Sequence, residues 1–231
     1  MEPEKLTVSV NERETVTALL YVASKKDRSG ATFILGHGAG ANQLSPFMVL
    51  FANGLAARGF DAITFNFLYT EYGRRAPDHK TKLESCYRAV INAALAHKKL
   101  KGNRLVIGGK SMGGRIASQV AAADGSEIAN LVFLGYPLHP PGKPEQLRDQ
   151  HLKDINAPML FVQGSRDPFG TPEELRQVIK NLKLTATLHI IEGGDHSFKV
   201  PKSGGVSQQE VYESVMDTIA AWPQRKSEVG L

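Results

Sequence analysis

Arg104-Leu-Val-Ile-Gly-Gly-Lys-Ser-Met-Gly-Gly-Arg115 decides how this chain is read. The apolar run Leu105–Ile107 has the length of a buried strand, and the small-residue pattern Met112–Ala123 behind it is helical. Ser111 stands at the corner, with Gly109 and Gly113 two positions to either side. An abrupt turn from strand to helix brings the two backbones too close for side chains, and glycine removes the obstruction. Ser111 is then held out at the carboxyl end of the strand, where the helix that begins there directs its free N–H groups. A bare G-x-S-x-G arises by chance in a chain with 22 glycines; the flanking strand and helix give it weight.

Outward from this corner the chain alternates. Leu6–Val10 and Thr15–Val22, around the polar turn at Asn11–Glu14, predict an opening antiparallel hairpin. Strands are then expected at Ala31–Leu35, Ala62–Phe67, Leu105–Ile107, Leu131–Leu134, Pro158–Val162 and Thr187–Ile191. Helices are expected at Pro46–Ala57, Thr81–His97, Met112–Ala123, from Thr171-Pro-Glu-Glu174 onward, and along the stripe Val211, Val215, Ile219, Trp222. Such alternation implies an α/β fold: a mostly parallel sheet of about eight strands with helices on both faces. Ligands on these sheets bind beyond the carboxyl ends of the strands. The 231 residues suit one domain, 1–231, with a frayed polar tail over about 223–231.

Composition excludes several function classes. Hydrophobic residues make up 42% and charged ones 22%, values of an ordinary globular protein. The net charge of +5 is scattered, with no basic stripe interleaved with aromatics, so nucleic acid is not an expected partner. The single cysteine, Cys86, excludes an internal disulfide and fits a reducing compartment. It shares a helical stripe with Leu83, Tyr87, Val90, Ile91 and Ala94, where a packed thiol is expected. The first residues carry no apolar leader, and no run is long enough to cross a bilayer. A soluble, cytoplasmic protein is expected.

An elbow serine becomes a nucleophile only when a base takes its proton and a third group orients that base. Asp167 ends Met159-Leu-Phe-Val-Gln-Gly-Ser-Arg-Asp167, a strand followed by a glycine turn. His196 lies in Glu192-Gly-Gly-Asp-His-Ser-Phe198, between the last strand and the last helix. Alone, Asp167 reads as a turn aspartate and His196 as a solvated loop histidine, with Asp195 a local hydrogen-bond partner. Together they follow Ser111 in the order Ser, Asp, His after successive strands, the order of a nucleophile-elbow triad. The oxyanion donors are then the amides of Met112 and, from the loop Gly36-His-Gly-Ala-Gly-Ala-Asn42, Ala39 or alternatively Gly40. His37 is expected to shape that loop.

Two rival motifs overlap these segments. Gly109-Lys-Ser111 resembles the end of a phosphate-binding loop, but Arg104 stands where that motif needs glycine. Gly36-His-Gly-Ala-Gly-Ala41 matches a dinucleotide fingerprint, yet Asn66 and Phe67 replace the acid expected after the next strand. An oxidoreductase using a dinucleotide stays open as the lesser alternative. No H-E-x-x-H spacing occurs among the 7 histidines, so neither a metal nor another cofactor is implied.

With these residues in place, the chain resembles the small α/β-hydrolases close to dienelactone hydrolase. More narrowly it is similar to the group containing testis-expressed protein thirty and the hydrolase-like domain of a histone-acetyltransferase complex subunit. The resemblance spans about Ala31 to Trp222. It rests on His37-Gly-Ala-Gly-Ala-Asn42, Asn66-Phe-Leu-Tyr69, Gly109-Lys-Ser-Met-Gly-Gly-Arg115, Tyr136-Pro-Leu-His-Pro-Pro-Gly142, Gly164-Ser-Arg-Asp167 and Asp195-His-Ser-Phe198. It implies the hydrolase fold, with Ser111, Asp167 and His196 as its triad. Dienelactone hydrolase itself uses a cysteine nucleophile, so its substrate does not carry over. The narrower group includes members that look like scaffolds, so a catalytically idle interaction module is the alternative to an enzyme.

The expected chemistry is cleavage of an ester through an acyl-enzyme. Only Tyr136–Ala157 joins the sixth strand to the seventh, too short and polar for an apolar lid, so a minimal cap and a small or exposed ester follow. Arg74, Arg75, His139, Lys143 and Arg148, with His37, are expected near the substrate mouth, where an acidic acyl group would suit them; solvated surface charges are the competing reading. Oligomeric state is not legible.

Overall fold

The computed structural model describes residues 2–182, 186–201 and 205–222; the tail expected over 223–231 lies outside them. Eight strands form one sheet: β1 Glu4–Ser9, β2 Thr15–Tyr21, β3 Ala31–Gly36, β4 Phe60–Phe65, β5 Arg104–Lys110, β6 Ile128–Leu134, β7 Met159–Gly164 and β8 Ala186–Ile191. Their spatial order is β1-β2-β4-β3-β5-β6-β7-β8, antiparallel through the β1–β2–β4 pairings and parallel from β4 to β8. The parallel strands β3, β4 and β7 are buried along their whole length, as a sheet covered on both faces requires.

Two apolar layers cover the sheet. On one face, α1 (Pro46–Ala57) and α6 (Gln208–Ala221) pack Phe51, Leu55, Val215 and Ile219 against Phe33, Leu35, Val132 and Val162. On the other lie α3 (Lys80–Ala96), α4 (Met112–Ala123) and α5 (Pro172–Lys180), whose Tyr87, Val90, Ile116, Val120 and Leu175 meet Ile34, Ile107, Phe133 and Phe161. Alternate residues of each central strand feed opposite layers, the period-2 rule of a pleated strand. Cys86 is packed as expected, and burial pushes its thiol up to about 12. Thr171 and Glu174 close the expected capping box on α5; Ser207 and Glu210 make a second, unforeseen one on α6.

Several strands differ from expectation in their bounds: β1 starts and ends earlier, β5 runs on to Lys110, β6 starts three residues sooner, and β4 stops short. β4 ends at Phe65, two residues early, and Phe67 begins a single helical turn, α2 (Leu68–Glu71). Asn66 explains the exit. Its side chain accepts the Gln43 N–H at 3.0 Å and donates to Glu71 at 2.9 Å, which pulls the chain out of the ladder. Phe67 then turns inward, its ring 5.0 Å from that of His37.

The corner at Ser111 is crowded by a neighbour that the sequence does not reveal. β3 and β5 run in register with Gly36 beside Gly109. A Cβ on Gly109 or on Gly113 would lie 2.1 Å from the Gly36 carbonyl oxygen. The elbow glycines therefore make room for the end of β3, and only Gly114, whose Cβ would sit 2.8 Å from the Gly109 carbonyl, relieves crowding between strand and following helix. The Tyr87 hydroxyl reinforces this junction: it accepts the Gly108 N–H at 3.0 Å and lies 2.8 Å from the Ile34 carbonyl.

The loop after β3 is held by His37, which is completely buried. Its Nε2 accepts the Phe67 N–H at 3.2 Å, so Nδ1 carries the proton and donates to the Gly38 carbonyl at 2.8 Å. Burial pushes this imidazole down to about 4, against the Gly38 carbonyl that favours the charged ring.

Two measurements follow. Gly113→Ala should cost about 3 kcal/mol or more in urea denaturation, because backbone must move; Gly40→Ala, in open space but at φ 74°, should cost only about 1 kcal/mol. Separately, a histidine held neutral in the fold and titrating near 6.5 when unfolded takes up its proton only in the unfolded state between those values. Stability therefore falls as pH drops from 6.5 toward 4, by about 3 kcal/mol from His37. Denaturation midpoints of His37→Asn should decline less steeply across that window; an identical decline would refute the assignment.

Candidate active site

Ser111 occupies the apex between β5 and α4 with φ 51° and ψ −114°, a backbone state that non-glycine residues rarely hold. It is fixed from both sides: its N–H donates to the Leu134 carbonyl at 3.1 Å, and its carbonyl accepts the Arg115 N–H at 3.0 Å. The side chain is thus presented at the carboxyl end of the sheet, beside the amino end of α4.

His196 comes to the same place from 85 residues along the chain, and Asp167 meets His196 across a separation of 29 residues. The Ser111 hydroxyl lies 2.8 Å from His196 Nε2, and His196 Nδ1 lies 2.7 Å from Asp167 Oδ2. With a carboxylate facing Nδ1, that nitrogen carries the proton and leaves Nε2 to accept from the serine.

Asp167 is held as firmly as its partner. It is 1% exposed. Oδ2 also accepts from the Gln163 amide at 2.8 Å, and Oδ1 accepts the Phe169 N–H at 2.8 Å. Gln163 in turn accepts the Tyr136 N–H and donates to the Gly170 carbonyl, tying the loops after β6 and β7 together. The His196 loop is built by Asp195, whose side chain accepts the Ser197 and Lys199 N–H groups and has the local role of a turn residue. Phe198, at φ 63° and fully buried, anchors that loop, and Phe169 packs its ring 4.2 Å from the His196 imidazole.

Lys110 is a site residue that sequence reasoning passed over. Its ammonium donates to the His196 carbonyl at 2.6 Å. Burial lowers it to about 8, while Asp167 and Asp195 pull the other way. The available signal was its position between the elbow glycine and Ser111, read only as part of a rejected phosphate-loop motif.

The loop after β3 passes over the serine: a Cβ on Gly38 would sit 3.6 Å from Ser111 Cβ. Ala39 and Gly40 are exposed at this loop, Gly40 with φ 74°, and Met112 opens α4. The rim residues divide. Arg74 and Arg75 are exposed, but Arg74 pairs with Asp78 at 2.6 Å and feels Glu14 at the hairpin tip, on the β4 side of the sheet, two strands from β5. Lys143 is exposed. His37 and His139 do not border a mouth, contrary to expectation. His37 is consumed by backbone partners, and His139, 5% exposed, faces the Pro140 carbonyl and Glu174, fastening its loop to α5. Between β6 and β7 only a single 3₁₀ turn, Leu152–Asp154, interrupts the connection, so no helical lid stands there.

No cluster of three or more metal-ligating side chains occurs among the described residues, and no helix among them is long and apolar enough to cross a membrane.

Known structures share this architecture. A dienelactone hydrolase from Anabaena variabilis superimposes with a TM-score of 0.75 at 18% identity, covering 96% of this chain and 97% of its own. An alpha-beta serine hydrolase homologue from Coxiella burnetii gives 0.73 at 16%, over 95% and 97%. A serine hydrolase without a lid from Xanthomonas campestris gives 0.73 at 18%, over 95% and 92%. At these identities the likeness is one of fold. The sequence profile of the alpha/beta hydrolase domain matches residues 29–224, and the chain belongs to that family.

Proposed function

We propose that this protein is a serine hydrolase cleaving ester bonds of small or exposed substrates, with Ser111 as nucleophile, His196 as general base and acid, and Asp167 as its orienting carboxylate. The hydrogen-bonded chain from Ser111 through His196 to the buried Asp167 carries the proposal. The missing lid supports an accessible substrate.

In the first step Ser111 Oγ attacks the ester carbonyl carbon while His196 Nε2 takes its proton. The oxyanion is met by the amides of Met112 and Ala39, with Gly40 as the alternative donor, and by the amino end of α4. As the tetrahedral adduct collapses, His196 returns the proton to the departing alcohol, and an acyl-Ser111 ester remains. Water then attacks that ester as His196 accepts its proton. The second adduct collapses to the acid and a reprotonated serine. Asp167 keeps the imidazole in its Nδ1–H form and stabilises the imidazolium at each step. Lys110 acts through His196 as a positioning residue, since its ammonium fixes the carbonyl of the base.

A fluorophosphonate probe should label the protein, and Ser111→Ala should abolish both labelling and hydrolysis of an activated ester. An unlabelled wild-type protein would favour a catalytically idle module. Ser111→Gly should be equally inactive yet more stable, by about 1 kcal/mol in denaturation, because glycine relieves the strained corner. Lys110→Met should lower kcat on an activated ester about tenfold, the cost of one charge-assisted hydrogen bond, with little change in KM. A KM effect with kcat preserved would remove Lys110 from the positioning role.

A further inference from the structure

Arg115 lies one helical turn beyond Ser111, its N–H on the Ser111 carbonyl. Its side chain lies among Arg148, Tyr136 and Glu84, whose charges it feels. Its Nε is buried and has no hydrogen-bond partner. No carboxylate among the described residues stands within ion-pair distance of Arg115 or of Arg148, and the two guanidinium charges repel each other.

Their surroundings sharpen the anomaly. Tyr136 follows Gly135, the residue whose Cβ would lie 2.9 Å from the His196 carbonyl oxygen, and its hydroxyl donates to the Arg148 carbonyl at 2.9 Å. The backbone at Arg148 is therefore tied to the loop after β6 through one buried tyrosine. Lys80 adds a further positive charge beside His151, whose ring burial and these cations keep neutral, down to about 4. The acids nearby are Glu84, which pairs with Lys80 at 3.6 Å, Asp149 and Asp154. A buried Nε without an acceptor on a half-buried arginine is costly, and a second arginine beside it adds to that cost. The arrangement becomes favourable when an oxyanion enters, because the planar forks of arginine match carboxylate and phosphate geometry.

We infer that Arg115 and Arg148 form an anion-receiving subsite beside Ser111, so that the ester cleaved here carries a carboxylate or phosphate group directed toward α3 and α4. This rests on the hydrolase reading above and narrows it to a substrate class.

The test pairs kinetics with binding. Wild type, Arg115→Gln and Arg148→Gln are compared on p-nitrophenyl acetate and on the mono-p-nitrophenyl ester of succinic acid. The ratio of kcat/KM for the anionic over the neutral ester should fall at least tenfold in each variant; an unchanged ratio overturns the inference. Calorimetric titration of Ser111→Ala with inorganic phosphate and with succinate is independent of turnover. Binding of either anion that is lost on adding Arg115→Gln supports the subsite, the anion that binds naming its chemistry, and binding of neither overturns it. A wild-type protein that hydrolyses no ester yet binds the anion through Arg115 would end the hydrolase reading and leave the subsite standing.

Discussion

Everything at this site depends on how closely three backbones approach. The end of β3 at Gly36, the end of β5 at Gly109 and the first turn of α4 at Gly113 pack with no room for a β-carbon, and Ser111 is the residue left in the gap. Its strained backbone is not a local accident. It is held by hydrogen bonds to Leu134 on one side and Arg115 on the other, and the sheet beneath is closed by Tyr87. Strain of this kind persists only where the surroundings over-determine it. The corner makes the serine prominent, and it also brings the loop after β3 over it, so one packing constraint positions both the hydroxyl and the amides proposed to face it.

Much of this was legible because the chemistry of parallel sheets concentrates at strand ends. Ser111, Asp167 and His196 each follow a strand pattern, and the order of strands in space is what converts large sequence separations into contacts. What was not legible depends on which neighbour a residue meets. Glycines at 109 and 113 signal a tight corner, but nothing in the linear pattern says that the crowding partner is Gly36. Asn66 reads as one more residue of a strand until its side chain is seen bonded to Gln43 and Glu71, which ends β4 early. The rim histidines failed for the same reason. A loop histidine reads as solvent-facing, whereas His139 spends its ring nitrogens holding its loop in place, and His37, which shapes its loop as expected, does so from full burial and so does not reach the rim. Lys110 was hidden by its motif, and Arg115 by sitting among small helix residues.

The two histidines near the catalytic corner illustrate how burial divides one residue type between tasks. His37 meets only backbone, one donor and one acceptor, so the neutral ring satisfies every partner and a proton has no welcome. His196 meets a carboxylate through one nitrogen and a hydroxyl through the other. That pairing orients the ring for the proton transfers proposed for it. The distinction lies in partners rather than in position, since both rings stand at the carboxyl ends of strands.

The electrostatic character of the site follows from the same placement. Its fixed acid, Asp167, is buried behind His196, the Lys110 ammonium sits on the His196 carbonyl, and the amino end of α4 begins at Ser111. In the proposed ester cleavage negative charge develops at the carbonyl oxygen, where the amides of Met112 and Ala39 are proposed to meet it. Asp167 balances the positive charge that develops on the imidazole. In that proposed mechanism the two charges of the transition state have separate partners, backbone amides for one and Asp167 for the other. A third charge, carried by the substrate itself, would fall on the inferred arginine pair without drawing on either partner, which is the physical reason that the inferred subsite favours an anionic ester over a cationic one.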